Sequence, residues 1–246
     1  MKNNITLLLL MACCVAGCET AGPVIELPAY HWRDSSSALD DLAARSSLLQ
    51  SASGTAMMSL RRADGASVQV DSAFAMKQPD SLRIRAWKMN RAVADWTLLP
   101  EGVWAWQTES EEPSPTSAST GPWSAHHAEI WPLLFGLITW RAGDVVQDDG
   151  KEMLTVGRRI GNLSVHVIIA RRTLTVTECR VLREDGTVVQ RVLLQRYQPI
   201  DGVYWPMLVL AEGEAGAFEL RFEEITINEE LPDSAFTPPS RARRVQ

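Results

Sequence analysis

Cysteine is scarce where it would shape a fold. Four are present, three of them before residue 19, so Cys179 stands alone in the body of the chain. No disulfide can close there, and a zinc site built on thiolates is excluded by count. Cys179 alternates with Thr175, Thr177 and Val181 at strand spacing, which reads as a small packed residue rather than a nucleophile. Long apolar runs are missing too. Ile5 to Ala12 is broken by Thr6, and Ile130 to Trp140 by Pro132 and Gly136; each is far short of the ~20 residues that span a bilayer. There is no basic excess. Lys and Arg number 24 against 30 Asp and Glu, a formal charge of −6, which argues against nucleic acid and against broad electrostatic docking on anionic lipid. Catalytic signatures are absent as well: no Gly-x-Ser-x-Gly elbow, no Gly-x-x-x-x-Gly-Lys loop and no dinucleotide fingerprint. Of the four histidines, His126 and His127 lie near Glu129. Adjacent histidines on a helix point about 100° apart and make poor joint ligands, so a metal there would need ligands from elsewhere. His31 and His166 read as structural. Glu223-Glu224 and Glu229-Glu230 read as solvated strand-end charges. The expectation is a non-enzymatic protein with no catalytic residues, no metal and no cofactor.

What is present begins at the N-terminus. Lys2, the apolar stretch Ile5 to Ala12 and the small residues of Val15-Ala16-Gly17-Cys18 form an export signal. Ala16-Gly17 directly before a cysteine resembles the lipobox of bacterial lipoproteins. That resemblance implies cleavage between Gly17 and Cys18, diacylglycerol on the Cys18 sulfur and acylation of the new amine. Residues 1–17 then leave as a signal peptide, and with Lys2 removed the charge becomes 23 minus 30, or −7. Residues 18–33, with Gly22, Pro23 and Pro28, read as a short lipidated tether. The expected location is the bacterial cell envelope, facing the periplasm, with the outer membrane favoured. The membrane is met through the N-terminal lipid.

The remaining chain is 46% hydrophobic and 22% charged, a globular composition. Asp34 to Gln50 is expected to be helical, with Ser35, Ser36 and Ser37 offering N-caps and Leu39, Leu42, Ala43, Ser46 and Leu49 near one face. Period-two runs follow: Thr55 to Arg62, Val68 to Met76, Leu82 to Trp87, Ala92 to Leu99 and Val103 to Gln107. Asp64-Gly65, Pro79-Asp80 and Pro100-Glu101-Gly102 turn between them. Ser110 to Pro122 reads as a loop. Trp123 to Trp140 reads as a second, kinked helical region lying against the sheet. Six more strands are expected: Met153 to Arg158, Leu163 to Ala170, Thr173 to Leu182, Thr187 to Tyr197, Val203 to Ala211 and Ala217 to Asn228. Glu184-Asp185-Gly186 and Asp201-Gly202 mark hairpins.

The order is therefore helix, about five strands, helical insert, about six strands. The expected fold is mainly β (α+β): a strongly curved antiparallel sheet of about 11 strands wrapped on helices. The helix leading into Gly54, the meander with Asp64-Gly65, the opening Asp201-Gly202-Val203-Tyr204-Trp205-Pro206 and the closing Leu231-Pro232 through Phe236-Pro238 resemble the lipoprotein carrier family of LolA and LolB. The resemblance covers about Ser35 to Pro239, which sets the domain at 34–239 with a polar tail at 240–246. It implies that the sheet forms an unclosed half-barrel with helices on its concave side, and lipoproteins or lipid as partners; the anchor favours a receptor of the LolB type.

Nine tryptophans are the other notable feature. Aromatic and methionine side chains suit an adaptable apolar wall. Met58, Phe74, Met76, Ile84, Trp96, Trp131, Phe135 and Trp205 are the candidates for an acyl-chain cavity. The competing reading has these residues filling a packed core, in which case the protein is a structural or interaction lipoprotein. Trp104 and Trp106 share a face with Ala105 between them. If Ala105 packs inward, both tryptophans face outward.

Overall fold

The computed structural model describes residues 25–108, 131–138, 141, 143–214 and 216–244. Its core element is one antiparallel sheet of 13 strands. They are β1 (Ser51–Arg62), β2 (Ser67–Lys77), β3 (Ser81–Lys88), β4 (Arg91–Leu99), β5 (Gly102–Gln107), β6 (Val145–Asp148), β7 (Met153–Ile160), β8 (Leu163–Ala170), β9 (Thr175–Arg183), β10 (Val188–Ile200), β11 (Val203–Gly213), β12 (Gly216–Ile227) and β13 (Arg243–Arg244). The spatial order is β13-β5-β4-β3-β2-β1-β12-β11-β10-β9-β8-β7-β6, so the sheet does not close into a barrel. Two antiparallel meanders are joined at the centre by β1 and β12, which pair from Ala52↔Ile227 to Arg62↔Gly216.

Alternation sends one side of nearly every strand inward. Val70, Phe74 and Met76 on β2, Leu82 and Ile84 on β3, Trp96 and Leu98 on β4, and Leu154 and Val156 on β7 all join one buried cluster. Gly54 sits where β1 and β12 shift register between Thr55 and Ala56. A Cβ there would lie 1.9 Å from the Glu224 carbonyl oxygen and 3.1 Å from the Phe74 ring, so only glycine lets the two central strands approach.

Two strands go beyond the eleven that the alternation predicts. All four residues of β6 are exposed, so it shows no alternating pattern to read. β13 is two residues long and falls in the segment read as a polar tail; it pairs Arg243 with Ala105 and Arg244 with Trp104. The first helix, α1, spans Ser35–Ser47. Its cap is Asp34 rather than a serine: the Asp34 carboxylate accepts from the Ser37 N–H at 2.8 Å and from the Ser37 hydroxyl at 2.9 Å. Ala38, Leu39 and Leu42 are its buried residues. The expected second helical region shrinks, among its described residues, to a 3-10 turn over Trp131–Phe135, and α1 is the one α-helix among the described residues. Residues 123–130, 139 and 140 of that region, and the Ser110 to Pro122 loop, lie outside the described residues.

The segment read as a tether is packed over its described part. Leu27 is buried, the Tyr30 N–H donates to the Arg172 carbonyl at 2.6 Å, and the Tyr30 hydroxyl donates to Asp41 at 2.5 Å. The Arg171 guanidinium lies 3.9 Å from the Trp32 ring centroid. Residues 25–33 thus lie strapped across α1 and the β8–β9 turn. The Tyr30 hydroxyl bond holds the Asp41 carboxyl below its ordinary range.

Candidate functional site

Trp131 to Ile138 crosses the inner face of the sheet. Pro132 restricts the chain near its start, and Gly136 takes φ +70, a conformation that other residues rarely adopt. Trp131, Leu133, Leu134, Phe135, Leu137 and Ile138 are all buried. The backbone bonds of this cover segment are internal: Gly136 N–H to Leu133 at 3.2 Å and Leu137 N–H to Pro132 at 3.0 Å. The thiol of Cys179 reaches the Leu133 carbonyl at 3.9 Å, a weak contact. Apolar packing therefore holds the cover to the sheet among the described residues. Such a contact can be exchanged for another apolar surface without breaking a hydrogen-bond ladder.

Beneath its centre is a cluster of rings. Phe135 lies 5.9 Å from Phe74, 5.2 Å from Trp205, 6.1 Å from Trp131 and 6.2 Å from Phe222, centroid to centroid. Beside it a cavity of about 160 Å³ opens between the cover and β7–β8. Pro132, Leu133, Leu137 and Ile138 wall one side, and Val156, Ile160, Val165 and Val167 the other. Its polar edge is formed by Arg141, Asp144 and Arg158. Asp144 accepts from Arg158 Nε at 2.8 Å and Nη2 at 2.5 Å, and from the Arg141 backbone N–H at 3.0 Å. The Arg158 guanidinium outweighs partial burial and holds the Asp144 carboxyl below the usual carboxylate range. A second cavity of about 30 Å³ lies on the other flank, between Phe135, Gly136 and Leu137 of the cover and Leu42, Arg45, Tyr197 and Tyr204. The Tyr197 hydroxyl donates to the Val176 carbonyl at 2.6 Å, and burial pushes its pKa well above the ordinary value.

All eight side chains expected to wall an acyl cavity are buried on this inner face. Phe74, Phe135, Trp131 and Trp205 touch one another in the ring cluster. Phe135 borders the smaller cavity; Met58, Phe74, Met76, Ile84, Trp96, Trp131 and Trp205 border neither cavity. The walls of the larger cavity went unread because its valines and isoleucines look like any strand core. Only the placement of the cover over β7–β8 makes them a surface. Ala105 packs against the core, and Trp104 and Trp106 take the outer face, each half-buried, with Arg244 5.7 Å from the Trp104 ring. Burial raises the Cys179 pKa strongly, which keeps the thiol protonated and inert. The His126, His127 and Glu129 cluster, Gly17 and Cys18 lie outside the described residues. Among the described residues no group of His, Cys, Asp and Glu could hold a metal ion, and no helix is long and apolar enough to cross a membrane.

Gly136 gives a direct test of how the cover is seated. A Cβ there would meet the Tyr197 hydroxyl at 2.6 Å, on a left-handed backbone. Gly136→Ala is expected to lower stability by about 1–2 kcal/mol, read as a lower urea midpoint at unchanged m-value. An unchanged midpoint would mean that the cover does not hold this conformation.

No family profile matches the chain, and no curated protein matches it. Solved structures do. A DUF1329 family protein from Desulfovibrio piger is 15% identical, with a TM-score of 0.56 over 83% of this chain and 98% of that one. A LolA superfamily protein from Nitrosomonas europaea is 12% identical, with a TM-score of 0.53 over 81% and 97%. A putative outer membrane lipoprotein-sorting protein domain from Vibrio parahaemolyticus is 10% identical, with a TM-score of 0.56 over 81% and 94%. At these identities the likeness shows the fold: a LolA-like open antiparallel sheet.

Proposed function

We propose that this protein is a lipid-anchored, periplasm-facing carrier or receptor that holds an acyl chain, of a lipid or of a lipoprotein, under its cover segment without catalysis. The observation that carries this reading is an apolar cavity bounded by a cover that, among the described residues, is held to the sheet chiefly by apolar packing, on a LolA-like sheet. One of the neighbours sharing that fold is described as a lipoprotein-sorting domain. As it stands, the cavity is smaller than the roughly 300–1,000 Å³ of ordinary ligand pockets. Uptake of a whole chain therefore requires the cover to move.

The energies allow it. Six buried side chains of the cover contribute roughly 9–18 kcal/mol at ~1.5–3 kcal/mol each, and an acyl chain of about sixteen methylenes gains ~13 kcal/mol at ~0.8 each. The exchange is close to balanced, which suits loading and release. The anchor belongs to the same reading. Cys18 precedes the packed Leu27 by nine residues, which reach at most about 30 Å. The strap over α1 and the β8–β9 turn then holds the domain near the bilayer. Residues 34–239 form the carrier domain in this proposal.

The competing reading, a packed interaction domain, is favoured by the mutual contact of the ring cluster. Native mass spectrometry separates the two. The protein from Glu19 onward, expressed without its signal and exposed to envelope lipids and acylated peptides, is expected to carry a bound species of lipid or acyl-peptide mass. A clean apo mass with no uptake would reject the carrier and leave the interaction domain.

A further inference from the structure

The ring cluster contains two hydrogen-bond donors that are unpartnered among the described residues. The indole N–H groups of Trp131 and Trp205 are buried and have no hydrogen-bond partner among the described residues, and each residue is only 1% exposed. Buried polar groups are satisfied in the great majority of cases, and an orphaned one costs about 1–3 kcal/mol. Both indoles touch the Phe135 ring. Phenylalanine would fill much of the same space without the penalty. These indoles have aromatic neighbours: Phe74, Phe135 and Phe222 around Trp205, and Phe135 beside Trp131. An acceptor carried on an apolar chain suits donors in such surroundings.

We infer that the site beneath the cover recognises the acyl carbonyl of its ligand, ester or amide, through the indole N–H groups of Trp131 and Trp205. This rests on the proposed acyl-chain function and deepens it: the ligand is an acyl compound rather than any hydrocarbon. One donor belongs to the cover and the other to β11 on the sheet beneath; neither borders either of the two cavities in the closed arrangement, so a carbonyl meets them only as the cover is displaced, which ties that displacement to ligand chemistry. With no ligand, the unmet donors weaken the closed arrangement. With a carbonyl present, they strengthen the loaded one.

The test compares two lysophosphocholines of equal chain length, one ester-linked and one ether-linked, so that the probes differ in the carbonyl. The full chain carrying Cys18→Ser is titrated with each. The ester is expected to bind about tenfold more tightly, the worth of one satisfied donor. Trp131→Phe and Trp205→Phe are each expected to lower the ester-to-ether affinity ratio, whatever they do to binding of both probes; a merely structural role would weaken both probes alike and leave the ratio at its native value. Should either variant fail to fold, the native protein with 15N-labelled tryptophan gives the same answer, because two indole N–H signals are expected to shift downfield with the ester and not with the ether. Equal binding of both probes, with no indole shift, would overturn the carbonyl assignment and leave the acyl-chain function standing. Binding of neither would overturn both.

Discussion

Phe135→Ala is expected to lower the unfolding free energy by about 3–5 kcal/mol, the range for a large aromatic removed from a core. The residue is 2% exposed and its ring contacts four others, from both the cover and the sheet. Phe74 and Phe222 pack against each other and against Trp205, so the rings around the void are already braced and cannot readily collapse into it. The full cavity cost should therefore appear. For a domain of this size that is roughly a 6–20 °C fall in Tm. Urea denaturation followed by tryptophan fluorescence measures it. A loss under about 1 kcal/mol would mean that the cover is not part of the cooperative core, and the energy balance proposed for its exchange with an acyl chain would fail with it.

Asp95→Ala should cost about 3 kcal/mol through a different mechanism. Asp95 lies on the outer face of β4 and is 5% exposed at its side chain, while its partner Arg83 is 13% exposed. Arg83 donates to Asp95 through Nε at 3.0 Å and Nη2 at 2.8 Å, and through Nη1 to the Ala235 carbonyl at 3.0 Å; Arg85 adds a contact at 3.2 Å. The turn Asp233–Phe236 thus shields the pair. Removing the carboxylate leaves the Arg83 guanidinium with one carbonyl and little water. Because the penalty is the stranded charge and not the lost attraction, the double variant Arg83→Met with Asp95→Leu should recover most of the loss. A double-mutant cycle by chemical denaturation checks this. A single-variant loss within the ~0–1 kcal/mol of a surface pair would show that the turn does not shield the site.

The same pair shows where sequence reading stops. Arg83, Asp95 and Thr97 sit at polar positions of alternating strands, so the pattern assigns them to a face but not to one another. Register decides that: Arg83 opposes Thr97 and Arg85 opposes Asp95. Trp106 opposes Asp95 in turn, which settles the direction of Trp104 and Trp106. Where a strand is half-buried, its existence was legible. β8 spans Leu163 to Ala170 as its alternation indicates, and the Asp201-Gly202 turn joins Ile200 to Val203. β6 escaped because every residue is exposed, and β13 because two residues carry no period. In the second helical region, the described residues 131–138 hold only a 3-10 turn, since an apolar run with Pro132 and Gly136 satisfies burial without extending a helix there.

The sequence by itself determined the mainly β antiparallel meander and the set of side chains that turn inward. These are local consequences of a pleated backbone with apolar residues at every second position. It also placed Phe74, Trp131, Phe135 and Trp205 together in one apolar class. Only the tertiary structure decided that these rings pack on one another while the larger cavity opens beside them, against Val156, Ile160, Val165 and Val167. That outcome depends on β1 pairing with β12, where Ala52 meets Ile227. It also depends on a cover that reaches across the inner face to β7 and β8. The pleat tells each side chain which way to point, but contacts between residues so distant in the chain are set by the curl of the whole sheet.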